Sequence, residues 1–336
     1  MKSLLIGALL ASGVSTAEAE VAGLQIAEVF MPHHDKTARV AVWYPTASSE
    51  LPSLYGSNPV FEGVEAQENA PLVEGSHPIV LLSHGMGGTD RSLAWLGAAF
   101  AKRGAITIAV NHPNSTWGDF DMSEGVKHWT RALDMSASFD AVLDRAEFAR
   151  SIDLDRVMAA GFSFGGWTAL SLGGAKGSHS GFIEACETHT EMEACGLLMS
   201  DRVKLQSQDP TLWNASYADE RVKFVVAIDP GFVWGLENEN VADVVSATTL
   251  IGFGSEADRM LATNFDESGL ASLREDWTIE RFDPAYHFSA MPICTSKGEA
   301  ILEAENDDPV CTDPVGSDRA AIHARIVDLI AEQLGI

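Results

Sequence analysis

Residues 156–170, RVMAAGFSFGGWTAL, constrain the fold of this chain more than any other stretch. The apolar run 157–160 predicts a buried strand, Gly161-Phe-Ser-Phe-Gly165 a sharp turn, and residues 164–172 a helix. Glycine two positions on either side of the serine gives the strained turn the room that it needs. The pattern therefore predicts a strand–turn–helix with Ser163 as a candidate nucleophile at the positive end of the helix. The competing interpretation is a glycine-rich turn with an incidental serine.

Strand and helix patterns alternate along the rest of the chain, which predicts an α/β fold with a doubly wound, mostly parallel sheet. Residues 46–76, rich in Ser, Pro, Glu and Gly, predict a long surface loop. Residues 173–220 break the alternation and predict an inserted loop or small cap within one domain, residues 20–336. The predicted elements are strands 38–45, 78–83, 105–110, 157–160, 222–228, 248–253 and 277–282, and helices 91–103, 131–150, 164–172, 263–275 and 317–334.

The N-terminus has the pattern of a signal peptide over residues 1–19. Lys2 gives a positive start, residues 4–10 form a short apolar core, and Ala17-Glu-Ala19 fits a small-x-small cleavage site. The mature chain is predicted to begin at Glu20 and to be exported, either to the periplasm or out of the cell. The apolar core is too short to cross a bilayer, and no later run approaches the required length.

Four cysteines form two local pairs in the sequence. An even number of cysteines in an exported chain predicts disulfides, and proximity favours Cys186–Cys195 and Cys294–Cys311 among the three possible connectivities. Zinc is the rival interpretation, but neither pair has a CxxC-like spacing. The insertion would thus be closed by one of the two disulfides.

The net charge of −26 excludes several partners. Nucleic-acid binding requires a basic face, and anionic membrane surfaces would repel this chain. Solubility or adaptation to salt is the simpler meaning of the acidity. His33-His34-Asp35 resembles a metal-ligand set, but adjacent histidines on a strand point apart, so solvated side chains are the favoured interpretation. We expect no metal, no cofactor and no protein partner.

A serine nucleophile needs a histidine base, and in this fold class the chain order is Ser, acid, His. The histidines after Ser163 are His179, His189, His287 and His323. The first two lie in the insertion, before any later strand supplies an acid, and His323 is predicted to be a surface residue of the last helix. His287 follows the last predicted strand in a loop at the carboxyl edge of the sheet, where ligands bind in open α/β folds. It is the predicted base.

Two aspartates are candidates for the acid that orients the base. Asp229 ends the strand 222–228, and Asp258 follows the next strand, 248–253. Both strand ends face the same crevice. As turn or loop residues, both also have a simpler structural interpretation. The residues alone leave the choice open.

An oxyanion hole should combine the backbone N–H after the nucleophile, that of Phe164, with one from the loop after an earlier strand. Residues 83–88, Ser-His-Gly-Met-Gly-Gly, fit that loop, and Met86 is the expected donor. Each such donor is typically worth about 3 kcal/mol. His84 is interpreted as a residue that fixes this loop. Three tryptophans are candidates for an apolar acyl pocket or, more simply, for the core: Trp117, Trp129 and Trp234.

The motifs together resemble the platelet-activating-factor acetylhydrolase-like branch of the α/β-hydrolases, which includes bacterial proteins called predicted dienelactone hydrolases. In most α/β-hydrolases the acid follows the later strand, which favours Asp258. In this branch it follows the strand after the nucleophile helix, so the resemblance favours Asp229, which precedes His287 by 58 positions. The resemblance rests on segments 42–45, 77–85, 109–113, 161–166, 227–232, 285–288, 294–311 and 319–323.

These inferences predict an exported, metal-independent serine esterase that acts on short-chain acyl esters, with a small-molecule or lipid-like substrate. Ser163, His287 and Asp229 would form the triad, with Asp258 as the alternative acid. Within enzymes, the alternatives are a lipase or phospholipase and a polyesterase. From another class, the alternative is a non-catalytic ligand-binding protein on a hydrolase fold.

Overall fold

The computed structural model of the protein describes residues 21–255 and 258–336. The predicted signal peptide, residues 1–19, and the predicted start at Glu20 lie outside the described residues. The strands are β1 (Ala22–Met31), β2 (Lys36–Pro45), β3 (Ser53–Tyr55), β4 (Val64–Glu68), β5 (His77–Ser83), β6 (Ile106–Val110), β7 (Ser115–Thr116), β8 (Asp119–Phe120), β9 (Ile152–Phe162), β10 (Phe224–Ile228), β11 (Thr248–Phe253) and β12 (Thr278–Phe282). The helices are α1 (Ala94–Lys102), α2 (Met122–Gly125), α3 (His128–Leu143), α4 (Ala146–Ala149), α5 (Phe164–Leu172), α6 (His179–Thr188), α7 (Cys195–Leu198), α8 (Pro210–Trp213), α9 (Asn238–Val241), α10 (Gly298–Glu305) and α11 (Arg319–Leu334).

One ten-stranded sheet runs through the described residues, in the order β12-β11-β10-β9-β5-β6-β2-β1-β4-β3. From β12 to β6 the strands are parallel, and β2 is antiparallel to both β6 and β1. The carboxyl ends of β5, β9, β10 and β11 therefore meet at one edge of the sheet. The predicted doubly wound, mostly parallel sheet is confirmed.

Two apolar clusters cover the two faces of the sheet. Successive side chains of a strand point to opposite faces, and Val42 accordingly packs in one cluster while Trp43 packs in the other. The first cluster contains residues of α3 and α5, and the second contains residues of α1 and α11. Strand β5 is buried over its whole length, because helices cover both of its faces. This explains its nearly continuous apolar sequence.

The N-terminal half contains more strand than the sequence predicts. Strand β1 is absent from the predicted elements, and it pairs with the whole of β2. Residues 46–76 include β3 and β4, so the prediction of a long surface loop is wrong for these segments. Strand β4 pairs with β1 through the short register Ala22–Leu24 against Ala66–Glu68. Polar residues in β4 concealed the strand, since it lies near the edge of the sheet and is only partly buried.

Two predicted helices differ in the structure. The predicted helix 131–150 begins earlier, as α3, and is interrupted before α4. The predicted helix 263–275 is wrong: the segment holds two short 3-10 turns, Leu261–Thr263 and Leu270–Ser272. Gly269 between them adopts φ 85°, which an α-helix does not accommodate.

Residues 173–220 contain α6, α7 and α8 and contribute Trp213 to the core. The Cys186–Cys195 disulfide joins α6 to the start of α7 with a Cα–Cα distance of 5.4 Å. The Cys294–Cys311 disulfide is also present, with a Cα–Cα distance of 5.9 Å, so both predicted disulfides are confirmed. None of the described helices is long and apolar enough to cross a membrane.

Candidate active site

Ser163 occupies the sharp turn between β9 and α5, with φ 58° and ψ −121°. A side chain larger than hydrogen fits at neither flanking glycine. A Cβ on Gly161 would lie 2.2 Å from the Gly165 carbonyl oxygen, and a Cβ on Gly165 would lie 1.9 Å from the Ser83 carbonyl oxygen. Both obstacles are backbone atoms that cannot move aside. The two glycines are therefore steric requirements of the turn that holds the serine hydroxyl above the sheet edge.

Ser163, His287 and Asp229 lie in one hydrogen-bonded row at this edge. The Nε2 atom of His287 is 3.1 Å from Ser163 Oγ, and its Nδ1 is 2.6 Å from Asp229 Oδ2. His287 begins a 3-10 turn in the loop after β12, and Asp229 is the first residue after β10. The row has the geometry in which an imidazole accepts a proton from a serine while a carboxylate holds its other nitrogen.

Asp229 is fully buried and is surrounded by donors. Its carboxylate accepts hydrogen bonds from Thr263 Oγ1 at 2.7 Å and from the Phe253 amide at 3.2 Å, and it pairs with the Arg259 guanidinium. Burial acts to raise the pKa of Asp229, but the hydrogen bond and charge of His287, together with Arg259 and Thr263, outweigh it and place the pKa below its ordinary value. The carboxylate is thus ionised and fixed toward Nδ1–H of His287.

The other acid candidate lies elsewhere. Asp258 follows β11, as predicted, but its side chain is exposed to solvent. Its neighbour Arg259 turns inward and pairs with Asp229. The structure thus brings Asp229, and not Asp258, to the histidine.

The remaining histidine candidates are also accounted for. His179 Nε2 bonds the Leu205 carbonyl oxygen at 2.9 Å, and His189 stays in the insertion, tilted against Trp234. The prediction that His323 is a surface residue is wrong. It lies on the inner side of α11, bonds the Ser289 carbonyl oxygen at 2.9 Å, and has its pKa lowered to about 4, chiefly by burial. The helical pattern alone did not show which face it occupies.

The loop that follows β5 lies directly against the serine. A Cβ on Gly85 would lie 3.2 Å from Ser163 Cβ. The loop is held by two backbone bonds, from the Gly88 amide to the Gly85 carbonyl at 3.1 Å and from the Gly87 amide to the Ser115 carbonyl at 3.0 Å. Phe164 is the first residue of α5, where amides have no acceptor within the helix. Phe164 thus directly follows the serine, and Gly85, the neighbour of Met86, lies against it.

His84 fixes this loop from inside. It is buried, and its Nδ1–H donates to the Gly85 carbonyl at 2.6 Å, while its Nε2 faces the His112 amide at 3.3 Å. Burial, with the nearby charge of Arg131, lowers the pKa of His84 well below its usual value. A neutral imidazole with both nitrogens engaged matches the loop-fixing role inferred from the sequence.

The buried guanidinium of Arg131 lies beneath this loop, and its role was not predicted from the sequence. Arg131 of α3 is buried, and it donates to Ser115 Oγ at 2.6 Å, to Ser83 Oγ and Thr168 Oγ1 at 3.1 Å each, and to the His84 carbonyl. Its guanidinium also lies 4.5 Å from the centre of the Phe164 ring. Desolvation lowers the pKa of Arg131 to about 9. Arg131 thus joins the loop after β5 to the start of α5.

Arg131 belongs to a larger buried network. Ser83 Oγ is 2.9 Å from His112 Nε2, and His112 Nδ1 is 2.9 Å from Asp134 Oδ2. Burial lowers the pKa of His112 to about 4, so its neutral ring accepts from the serine and donates to the carboxylate. A signal was available in the sequence: Arg131 and Asp134 are three positions apart and share one face of a helix. Charged residues on a helix are normally exposed, so the spacing alone does not show that this face is buried.

His33 and His34 lie in the turn between β1 and β2, which also corrects the sequence inference. Adjacent histidines point apart on a strand, but β1 ends at Met31 and residues 32–35 form a tight turn. Both rings therefore reach the same carboxylate, that of Asp134.

The tryptophans proposed for an acyl pocket separate into two groups. Trp129 and Trp234 are buried in the core. Trp117 is 80% exposed in the β7–β8 hairpin, whose Thr116 pairs with Gly87 of the loop after β5. It is the one of the three that solvent and ligands can reach.

The sheet order, the serine turn and the row of side chains at its carboxyl edge define an α/β-hydrolase fold. Solved structures share it. A ferulic acid esterase from Streptomyces cinnamoneus superposes with a TM-score of 0.61 at 17% identity, over 95% of this chain and 90% of that chain. A dienelactone hydrolase-like promiscuous phosphotriesterase from metagenomic libraries superposes with a TM-score of 0.52 at 12% identity, over 92% of this chain and 98% of that chain.

The sequence comparisons are narrower. No protein-family model matches the chain. The cutinase est2 of Thermobifida alba is 32% identical over 104 residues, which are 30% of this chain and 32% of that protein. The chain thus matches about a third of the length of this relative.

Proposed function

We propose that the protein is a serine carboxylic-ester hydrolase that works through an acyl-enzyme on short-chain acyl esters. The observation that carries the proposal is the row Ser163–His287–Asp229, with contacts of 3.1 and 2.6 Å. The similarity to a cutinase and to a ferulic acid esterase supports chemistry on esters. The sequence resemblance to the platelet-activating-factor acetylhydrolase-like branch agrees with Asp229 as the acid.

The first half of the reaction forms the acyl-enzyme. Ser163 Oγ attacks the ester carbonyl carbon, and His287 Nε2 takes the hydroxyl proton as the new C–O bond forms. Asp229 stabilises the resulting imidazolium without taking its proton. The carbonyl oxygen becomes an oxyanion, which the amides of Met86 and Phe164 stabilise. The intermediate then collapses, and the alcohol leaves with the proton from His287.

Water completes the cycle. His287, neutral again, takes a proton from a water molecule as its oxygen attacks the acyl carbon. The second oxyanion occupies the same hole. Its collapse releases the carboxylic acid and returns the proton to Ser163 Oγ, so the enzyme is regenerated with no net proton change at the site.

Aromatic packing beside the serine favours short acyl groups. Phe232 lies in the loop after β10, and its ring centroid is 4.8 Å from that of Phe164. Phe182 and Trp213 of the 173–220 segment pack on Phe232, with ring centroids at 4.9 and 5.7 Å. The segment thus packs its rings on residues that neighbour the serine. We propose that this segment limits the length of the acyl chain.

We propose that the protein acts outside the cytoplasm. The N-terminal pattern of residues 1–19 indicates export, and the two disulfides are typical of proteins of oxidising compartments. We propose a small-molecule ester as the partner of the site.

A series of p-nitrophenyl esters tests the function and the chain length together. We expect kcat/KM to be highest for acetyl and butyryl esters and to fall by at least about tenfold for the octanoyl ester, because extra methylenes meet filled space. Ser163→Ala is the control that separates the enzyme from background hydrolysis. Hydrolysis that is equally fast with Ser163→Ala would contradict the function, whereas a preference for the octanoyl ester would contradict only the chain length.

A further inference from the structure

Two histidines and one carboxylate that the proposed reaction does not use converge at the turn between β1 and β2. His33 Nε2 lies 2.7 Å and His34 Nε2 lies 3.3 Å from the same atom, Asp134 Oδ1. One nitrogen or oxygen atom of each of the three residues lies within 4.8 Å of the others. The cluster joins residues about a hundred positions apart, because α3 packs beneath the turn.

His34 Nε2 is a buried polar atom that lacks an aligned hydrogen bond. The side chain of His34 is 5% exposed, and that of Asp134 is 0% exposed. Among the described residues, no group forms an aligned hydrogen bond with His34 Nε2, although it faces Asp134 Oδ1. Buried polar atoms in folded proteins almost always have a partner. The other ring nitrogen, Nδ1, faces the side-chain amide of Asn114 at 3.4 Å. The long contact from Nε2 to a carboxylate oxygen, with a second imidazole beside it, fits an ion between the three atoms.

We propose that His33, His34 and Asp134 bind one divalent transition-metal ion of the zinc class. Imidazole nitrogens and carboxylate oxygens are the ligands that such ions take, with bonds of about 2.0–2.2 Å. The side chain of His33 is 21% exposed, so a water molecule from solvent supplies the fourth ligand.

The surroundings of Asp134 match what a ligating carboxylate needs. Its second oxygen, Oδ2, accepts the Nδ1–H of His112 at 2.9 Å. His112 is itself held, because its Nε2 accepts the Ser83 hydroxyl at 2.9 Å. Outer hydrogen bonds of this kind orient metal-bound carboxylates. They leave Oδ1 turned toward the two imidazoles.

The ion would have a structural role. It would join the turn after β1 to α3, one helical turn from Arg131, which holds the loop after β5. Neither Ser163 nor His287 belongs to the cluster, so the ion would take no part in ester chemistry. The competing interpretation is a set of N–H···O hydrogen bonds from the two rings to Asp134 with no ion.

Zn²⁺ binding to the tag-free full-length mature protein, after EDTA treatment and dialysis, tests the proposal by titration calorimetry. We expect one Zn²⁺ per chain and a higher Tm, because an ion bound only by the folded state stabilises it. His33→Ala and His34→Gln should each weaken binding by more than about 100-fold, since losing an outer partner alone costs about 10–100-fold. His189→Ala, a histidine of the 173–220 segment, should bind as the wild type does.

Two further features keep the test decisive. His33 is partly exposed in a turn, so His33→Ala is expected to fold even where His34→Gln does not. Co²⁺ in place of Zn²⁺ should give a visible absorption band that His33→Ala abolishes. No stoichiometric binding by the wild type, or an unchanged Kd in both variants, would overturn the proposal in favour of the hydrogen-bonded cluster. The metal-binding test does not measure esterase activity. Its failure would therefore not contradict the proposed function, and a failure of the proposed function would not contradict the metal site.

Discussion

Asp229→Asn is expected to lower kcat by about 10⁴-fold with little change in KM. The amide has nearly the volume of the carboxylate, and an oxygen at the Oδ1 position can still accept from the Phe253 amide and Arg259. Its NH₂ group, however, can face His287 Nδ1 and move the ring proton to Nε2. The imidazole then presents N–H to Ser163 and cannot take the serine proton. Substrate binding is spared because the buried carboxylate does not contact the substrate.

Asp258→Asn is the matched control, since it makes the same chemical change at the other candidate acid. We expect kcat within about twofold of the wild type, because changes at exposed positions away from a site have small effects. Thermal unfolding of both variants separates chemistry from folding, as Asp229 also pairs with Arg259. If Asp258→Asn loses activity and Asp229→Asn keeps it, the assignment of the acid is wrong.

Arg131→Met is expected to lower the free energy of unfolding by about 3–5 kcal/mol, as measured by urea denaturation. Methionine fills much of the volume but supplies no donor. The variant therefore leaves the His84 carbonyl and the hydroxyls of Ser83 and Ser115 without the guanidinium. It also removes a positive charge that interacts with the buried Asp134. Because these groups carry the loop after β5, kcat should fall as well.

Arg281→Met is the control for removing an arginine as such. Its guanidinium is 51% exposed and pairs with Asp266 at the surface, and such pairs contribute less than about 1 kcal/mol. Equal losses in the free energy of unfolding would show that Arg131 contributes no more to stability than an arginine at the surface. A stable Arg131→Met protein with full activity would contradict its role in holding the loop.

The parts of the site that depend on local chain geometry could be predicted from the sequence. Gly161 and Gly165 are steric requirements of one turn, so the pattern around Ser163 sufficed to place it between a strand and a helix. Chain order and strand ends then led to His287. They could not separate Asp229 from Asp258, because both follow parallel strands that end at the same edge. The structure separates their positions through burial, since Asp229 is enclosed and Asp258 is exposed.

Features that depend on packing between distant segments could not be predicted from the sequence. Arg131 and Asp134 are polar residues on a helix, and only the packing of α3 beneath β5 turns that side inward. His33 and His34 converge because they lie in the turn between β1 and β2, whereas adjacent histidines on a strand would point apart. The predicted helix 263–275 is replaced by short turns, where Gly269 adopts φ 85°, Thr263 bonds Asp229 and Phe265 and Leu270 are buried. Each of these outcomes is set by contacts that periodicity does not record.

Covalent labelling of the wild-type protein with a fluorophosphonate, read by intact mass and peptide mapping, tests the central claim most directly. The phosphonyl group is expected to add once per chain, on Ser163, with displacement of fluoride. Ser163→Ala should remain unlabelled, and His287→Ala should label far more slowly because no base takes the serine proton. Absence of labelling in the folded wild type, or labelling that persists in Ser163→Ala, would contradict the assignment of Ser163 as the nucleophile.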